Sequence, residues 1–241
     1  MTKNAPVIWT EGLFLQAQHF QQQERYVVSE IEHRMIDFNC YAHGFSTLEL
    51  DQNLLKVGQL HIQKASGYFP DGTFFSIPDR DPAPPALSLL NNPDIRSIHL
   101  TLAGRTRPGT QVDWTESTTN AARYIGTSIE VNDNTQTTQA SEHLEVGLLN
   151  TRLTVNDVAQ EGHVRLCVAE LLNSTHHQAQ LNSGFIPPLV CVQGNAQIRS
   201  IMGTVFHLLN NKIEQLRKRS LRKGTHSTSE IGDFLLLQAC I

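Results

Sequence analysis

The apolar residues of this chain follow helical spacing at both ends and strand spacing between them. Residues 1–17 are mixed and predict an extended arm, and a helix is predicted from Gln18 to about Phe38. Its apolar positions recur every three to four residues on one face: Phe20, Val27, Ile31 and Met35. Polar residues occupy the other face, so the pattern indicates an amphipathic helix.

From about Phe45, apolar and polar residues alternate in short runs. The clearest runs are Leu60–Ile62, Ile98–Leu102, Ile125–Val131, Leu144–Leu148 and Val164–Val168. One apolar and one polar face on each strand predict antiparallel pairing in a β-sandwich or a similar two-layer sheet. Two stretches are predicted to be loops, because Pro78–Pro85 holds four prolines and Asn132–Ser141 is almost entirely polar.

The helical spacing returns after about residue 190. A long helix is predicted from Ala196 to Lys223, with Gly224 as its stop signal. A capping box at Ser227–Glu230 predicts a second helix, and the chain ends within it without a polar cap. This ending predicts that the sequence is the N-terminal part of a longer protein. The charge changes at the same boundary: residues 1–193 hold 12 Lys and Arg against 20 Asp and Glu, and residues 194–223 hold seven against one.

The composition and motifs favour a non-enzymatic protein. With 39% hydrophobic and 17% charged residues, the 241-residue chain is neither disordered nor fibrous. Its four cysteines form no CxxC pair, its longest apolar run is far too short to cross a bilayer, and its first residues, Met1–Asn4, lead into no apolar signal region. The phosphate-binding, dinucleotide-binding, nucleophile-elbow and zinc-protease motifs are missing. We therefore predict no catalytic residue, no cofactor, no metal and a cytoplasmic location.

Three other groups have a chemical interpretation and a simpler one. His176-His177 could bind a metal but favours a solvated turn, and Asp79-Arg80-Asp81 could act as an acid–base pair but favours a charged loop. The basic cluster Arg217-Lys218-Arg219 with Arg222 and Lys223 could bind nucleic acid, yet without interleaved aromatic residues it favours a solvated or partner-facing helix end. Trp9 and Phe14 lie outside regular elements, so they are predicted to dock on this fold or on another subunit.

Four blocks of the sequence resemble the TssK family, the baseplate subunits of bacterial type VI secretion systems. The longest is Val7–Leu15 followed by Gln18–Tyr26. The likeness recurs at Phe69–Pro78, at Phe185–Leu189 and at Asp233–Ala239, so it covers essentially the whole chain. No block matches between Thr101 and Thr175.

The resemblance implies the architecture and the partners. TssK proteins are longer homotrimers with a β-sandwich shoulder, a helical neck and a C-terminal head; the shoulder docks on the TssF–TssG wedge, and the head reaches TssL and TssM at the inner membrane. The implied fold is α+β, mainly β, with the shoulder at residues 1–190, including the arm and first helix. Residues 191–241 would begin a partial helical-bundle neck, and the head would be missing. No membrane insertion and no nucleic-acid partner are expected.

Two sets of residues are predicted to make contacts. An apolar stripe on the long helix would pack around a threefold axis, with its own sandwich as the alternative partner: Ile198, Ile201, Met202, Val205, Leu208, Leu209, Ile213 and Leu216. In the arm, the residues expected to dock on the wedge or on a neighbouring protomer are Trp9, Leu13, Phe14 and Leu15. An enzyme built on a β-sandwich and a phage-like receptor- or carbohydrate-binding module are the competing functions.

Overall fold

The computed structural model describes residues 4–38, 43–90, 95–105, 110–115, 122–132, 141–156, 162–175 and 178–222. They fall into two compact units, one up to Gly194 and the other from Asn195 onward. The first unit is mostly β-structure, and the second contains a long helix. The coarse prediction of a mainly β chain with a few helices is therefore confirmed.

The first unit opens with a helix and continues as short strands. Helix α1 spans Ala17–Phe38, within one residue of its predicted bounds, and the unpredicted α2 spans Gln52–Lys56. The first strands are β1 Gly44–Leu50, β2 Gln59–Leu60, β3 Ile62–Tyr68, β4 Phe74–Ile77, β5 Leu87–Ser88, β6 Ser97–Ala103 and β7 Val112–Asp113. They are followed by β8 Tyr124–Asn132, β9 Ser141–Leu149, β10 Arg152–Val155, β11 His163–Thr175 and β12 Gln178–Leu181.

The hydrophobic core joins two of the sheets, ordered β1-β3-β4 and β10-β6-β11-β12. Phe45 and Phe69 both pack on Phe75. The ring centroid of Phe75 lies 5.8 Å from that of Phe45 and 4.9 Å from that of Phe69. Among the other buried core residues are Ile62, Ala65 and Ile77 from the first sheet and Ile98, Leu100 and Leu166 from the second. The backbone of Pro188 approaches the start of β1 closely. It lies 2.7 Å from the position that a Cβ atom on Gly44 would occupy. A side chain at Gly44 would therefore clash with this contact.

Two predictions about strand burial and pairing were wrong. The alternation in β6 predicted one polar face, but both faces are buried, including His99 and Thr101. Strand β6 lies between β10 and β11, which cover its two edges, and the burial of His99 and Thr101 shows that its second face is covered as well. Strand pairing is also not uniformly antiparallel, because β7 pairs with β8 in parallel.

The hairpin of β8 and β9 corrects a prediction about burial. Its two strands pair antiparallel over all nine residues, so the predicted strands are present. Paired residues share a face, which brings Ile129 beside Leu144 and Thr127 beside Val146. Toward the tip this face is exposed rather than buried. The alternation thus predicted the strand conformation but not what covers it.

The proline-rich stretch Pro78–Pro85 contains no helix or strand, as predicted, and one of its aspartates anchors it. Asp81 is buried, and its two carboxylate oxygens accept hydrogen bonds from the backbone N–H groups of Ser76 and Leu149, both at 3.1 Å. The carboxylate therefore joins the end of β4 to the end of β9. This is a structural use of the group that was considered for acid–base chemistry.

The described part of the second unit consists mainly of helix α3, which spans Ala196–Arg222. The predicted helix start is confirmed by its cap: the side-chain oxygen of Asn195 accepts from the N–H groups of Gln197 and Ile198 at 2.8 and 3.2 Å. The predicted helix after Ser227 and the pair His176-His177 lie outside the described residues, as does the interior of the loop predicted at Asn132–Ser141. Within the described ranges, no helix combines the length and apolar character needed to span a membrane.

Candidate partner-docking surfaces

The arm, residues 4–16, runs back along α1. Asn4 donates to the hydroxyl of Ser29 at 3.0 Å, and Gln22 donates to the carbonyl of Ala5 at 2.8 Å. Closer to the helix start, the rings of Trp9 and Phe20 lie 6.4 Å apart. The contacts run from the second half of α1, at Asn4, to its first turn, at Trp9, so the arm and α1 form one structural element.

The apolar face of α1 points to solvent. Phe20, Val27 and Ile31 are all exposed, with Phe20 at 59%, whereas Ser29 on the opposite side is buried and Glu32 is half-buried. The sequence correctly predicted one apolar face, and the structure leaves that face uncovered. The side chain of Met35, which was assigned to the same face, is outside the described side chains.

The arm adds exposed apolar side chains to this face. Phe14 is 85% exposed, Trp9 and Leu15 are more than half exposed, and Leu13 is half-buried. The sequence reasoning missed Ile8, which is also exposed. We call the following residues the arm–α1 surface: Ile8, Trp9, Phe14, Leu15, Phe20, Val27 and Ile31. An apolar group of this kind on a folded unit is typical of a protein contact site.

Helix α1 is tied to the β-structure by an ionic cluster. Glu32 pairs with Arg105 at 3.1 Å, and Arg105 also donates to the Thr73 hydroxyl at 3.2 Å. The same turn between β3 and β4 supplies Asp71, which pairs with Arg123 at 3.1 Å. Arg123 is only 1% exposed, and it donates further hydrogen bonds to Thr73 and to the carbonyl of Ala103. Two carboxylates and two guanidinium groups thus balance each other beneath α1.

The sequence reasoning missed this ionic cluster. Asp71 and Thr73 entered the sequence analysis only as members of the family-like block Phe69–Pro78. Their partners Arg105 and Arg123 are distant in sequence, and no local pattern connects them to that block. The one available signal was the block itself, since polar residues in a family-like block suggest a structural or functional use.

The pH response of Glu32 is our first prediction. Desolvation by burial raises the pKa of its carboxyl above the ordinary 4.5, Asp71 raises it further, and Arg105 acts in the opposite direction. Because the folded state holds this proton more tightly than the unfolded chain, the stabilising contribution is present below pH 4.5 and is lost as pH rises through the raised pKa. Glu32→Gln should therefore gain stability relative to the parent as pH rises through that window.

Urea denaturation of both proteins across the window measures the difference directly. A difference in unfolding free energy that stays constant with pH, or that shifts in favour of the parent, would mean that the Arg105 attraction outweighs the desolvation of Glu32.

The stripe on α3 is mostly uncovered. Five of the eight predicted residues are exposed, namely Ile201, Met202, Val205, Leu208 and Leu209. Ile198 and Ile213 are half-buried, and Leu216 is buried at 3% exposure. Phe206 is exposed beside the stripe and was not predicted to belong to it. The apolar surface of α3 is therefore wider than the sequence spacing suggested.

The remaining candidates form no chemical centre in the part of the chain that is described. Arg217 pairs with Glu214 one turn away at 3.6 Å, and Lys218 is exposed, in keeping with a solvated helix end. Within the same described ranges, no three His, Cys, Asp or Glu residues are grouped as metal ligands. The structural features that remain are apolar side chains on the outside of a mainly β protein. They define a protein of the protein–protein interaction class.

The comparisons with known proteins identify the family. Residues 19–240 match the bacterial type VI secretion family that includes EvfL, ImpJ and VasE. The chain is also 32% identical over 240 residues to the type VI secretion system baseplate component TssK1 of Pseudomonas aeruginosa, and the match covers 99% of this chain and 54% of that protein. The chain therefore belongs to the VasE/TssK family of type VI secretion proteins, and the resemblance inferred from the sequence is confirmed.

Solved structures agree with this assignment. A crystal structure of TssK, 31% identical, has a TM-score of 0.83 over 98% of this chain and 54% of that one. A chain in a TssK–TssF–TssG baseplate subcomplex has a TM-score of 0.81 over 99% of this chain and 76% of that one; at 21% identity, it supports the fold alone. This chain spans about half the length of TssK1 and of the crystallised TssK.

Proposed function

We propose that this chain is a structural baseplate subunit of a type VI secretion system that acts as a trimeric adaptor and docks on a wedge of TssF and TssG. Membership of the TssK family supports this role, as does the existence of a baseplate subcomplex that TssK forms with TssF and TssG. The observation that carries it is the arm–α1 surface, whose apolar side chains point away from the β-structure. Its role is contact rather than catalysis.

The proposed organisation has a shoulder and the start of a neck. Residues 1–190 form the shoulder, in which the two sheets that share the core act as the layers of a β-sandwich. Residues 191–241 begin the neck, and the α3 stripe from Ile198 to Leu216 packs around a threefold axis between copies. Exposure of five stripe residues supports this arrangement, because packing between copies would remove them from water.

The proposal extends to the whole secretion apparatus. The longer family members would use a C-terminal head, beyond the part that this chain spans, to link the baseplate to TssL and TssM at the cytoplasmic face of the inner membrane. Residues 1–241 would then bind the wedge without binding TssL or TssM. Capture of TssL without TssG would contradict that division of roles.

Loss of the arm side chains tests wedge docking and is our second prediction. A double substitution, Trp9→Ala with Phe14→Ala, should weaken binding to a purified TssF–TssG complex at least about tenfold, since a central aromatic contact contributes ~2 kcal/mol or more. Biolayer interferometry would measure the dissociation constant. Leu172→Ala is the matched control, because Leu172 is an exposed apolar residue elsewhere in the same unit.

Two results would change this assignment. Unchanged wedge binding in the double variant would exclude the arm as the docking site. If its solution mass also falls below that of the parent, the arm contacts a neighbouring protomer instead.

A further inference from the structure

The β8–β9 hairpin, which we call the ribbon, presents an unpaired edge. Strand β7 pairs only with Tyr124 and Ile125 at the base of β8. Along β9, every residue pairs with β8 on one side, and no other strand within the described ranges pairs with the opposite edge. The backbone N–H of Leu149 at its base is satisfied by Asp81, so the open edge is the part from Ser141 to Leu148. A long exposed edge is a ready template for another strand.

One face of the ribbon is apolar where nothing covers it. Ile129 and Leu144 are cross-strand partners exposed at 42% and 47%, and Val131 is also exposed on the same face. Val146 and Leu148 continue this face and are half-buried. A two-stranded ribbon has marginal stability by itself in water, and a third strand with its own apolar side chains would extend the face and shield it.

The charges on the ribbon distinguish between possible occupants. Glu130, Glu142 and Glu145 are exposed on it, and it carries no Lys or Arg between Tyr124 and Asn132 or between Ser141 and Leu149. Pairing with the β9 edge of a second copy would gather the carboxylates of both copies in one small sheet. Like charges in neighbouring strands destabilise a sheet, and charges on an edge strand oppose pairing with an identical edge. A strand that carries Lys or Arg would instead be attracted.

We propose that the open edge of β9 receives an extended segment of the TssF–TssG wedge, in which apolar residues alternate with Lys or Arg. This inference rests on the proposed function, and it adds a second contact beside the arm–α1 surface. The added strand would hydrogen-bond with β9 and continue the apolar face next to Leu144 and Val146. Its cations would lie on the opposite face, beside Glu145 and on the same side as Glu130. Main-chain pairing would supply affinity, and the glutamates would select against a second copy.

Amide hydrogen exchange of this chain with and without purified TssF–TssG tests the contact. In an antiparallel ladder, the N–H groups of alternate residues point toward the partner strand, so half of the β9 amides already bond to β8. The other half, between Glu142 and Leu148, should exchange at least about tenfold more slowly in the complex. Wedge binding that leaves these outward amides unprotected overturns the β9 contact but not the proposed function. No wedge binding at all overturns both.

Charge reversal on the ribbon, compared with charge reversal elsewhere, tests whether the ribbon carboxylate itself recognises the added strand. Glu145→Lys should weaken wedge binding about fivefold or more, because a cross-strand attraction to a cation of the added strand becomes a repulsion. Asp79→Lys, in an exposed loop of the same unit, is the control for the change of charge and should leave binding within about twofold. Equal losses in the two variants would mean that only the overall charge matters and would overturn the inference. A loss confined to the ribbon variant, together with protected β9 amides, supports it.

Discussion

Replacing Val205 and Leu209 with aspartate is expected to turn an assembled protein into a folded monomer. Both side chains are exposed on α3 within the proposed threefold stripe. If the stripe packs between copies, each copy would lose at least ~3 kcal/mol of apolar burial and gain two charges at a dry contact. Light scattering over a concentration series should show the parent at three times its 27.0 kDa chain mass and the variant at one.

The matched control puts the same two charges on the other side of α3. Ser200 and Asn211 are exposed on that helix, about half a turn from the centre of the stripe, so their replacement with aspartate should leave the mass unchanged. A concentration-independent parent mass near 27.0 kDa would contradict a neck seam in this chain. Unfolding of the Val205→Asp, Leu209→Asp variant would mean that the stripe is covered within one copy.

Replacing Arg123 with methionine is expected to cause the largest loss of stability from a single substitution. Arg123 is the buried partner of Asp71, and it also donates to Thr73 and to the Ala103 carbonyl. Removing one partner of a buried ion pair costs about 3–5 kcal/mol. Here it leaves Asp71 with only the more distant Arg105, at 4.0 Å. Urea denaturation followed by circular dichroism would measure the change in unfolding free energy.

Two comparisons make this result interpretable. Arg34→Met removes an exposed pair with Glu30 one turn away, so it should cost less than about 0.5 kcal/mol. Adding Asp71→Asn to the Arg123→Met background should recover part of the loss, because the carboxylate left without its close partner is then neutral. A cost in Arg123→Met no larger than that in Arg34→Met would show that Asp71 is well solvated without its partner.

The sequence by itself determined the local elements and the family. The bounds of α1 and α3 agree with the predicted helices within about one residue, and four of the five alternating runs occur within single strands. Both results depend on spacing along the chain, since helix and strand each impose a short period on side-chain direction. The family-like blocks also depend only on the order of residues. The run Leu60–Ile62 was wrong as one strand, because Leu60 belongs to β2 and Ile62 to β3, which lie in different sheets. The short helix α2, capped by Asp51, was missed because it spans only five residues.

Only the tertiary structure decided which surfaces are covered and which charges meet. Regular apolar spacing is present in α1, β9 and β6, yet Phe20 and Leu144 are exposed, whereas both faces of β6 are buried. Burial depends on neighbours that come from elsewhere in the chain, so spacing within one segment does not contain it. The contact of Arg123 with Thr73 joins positions 50 residues apart. Such a pair exists only once the strands have assembled, because folding alone brings those side chains within hydrogen-bonding distance.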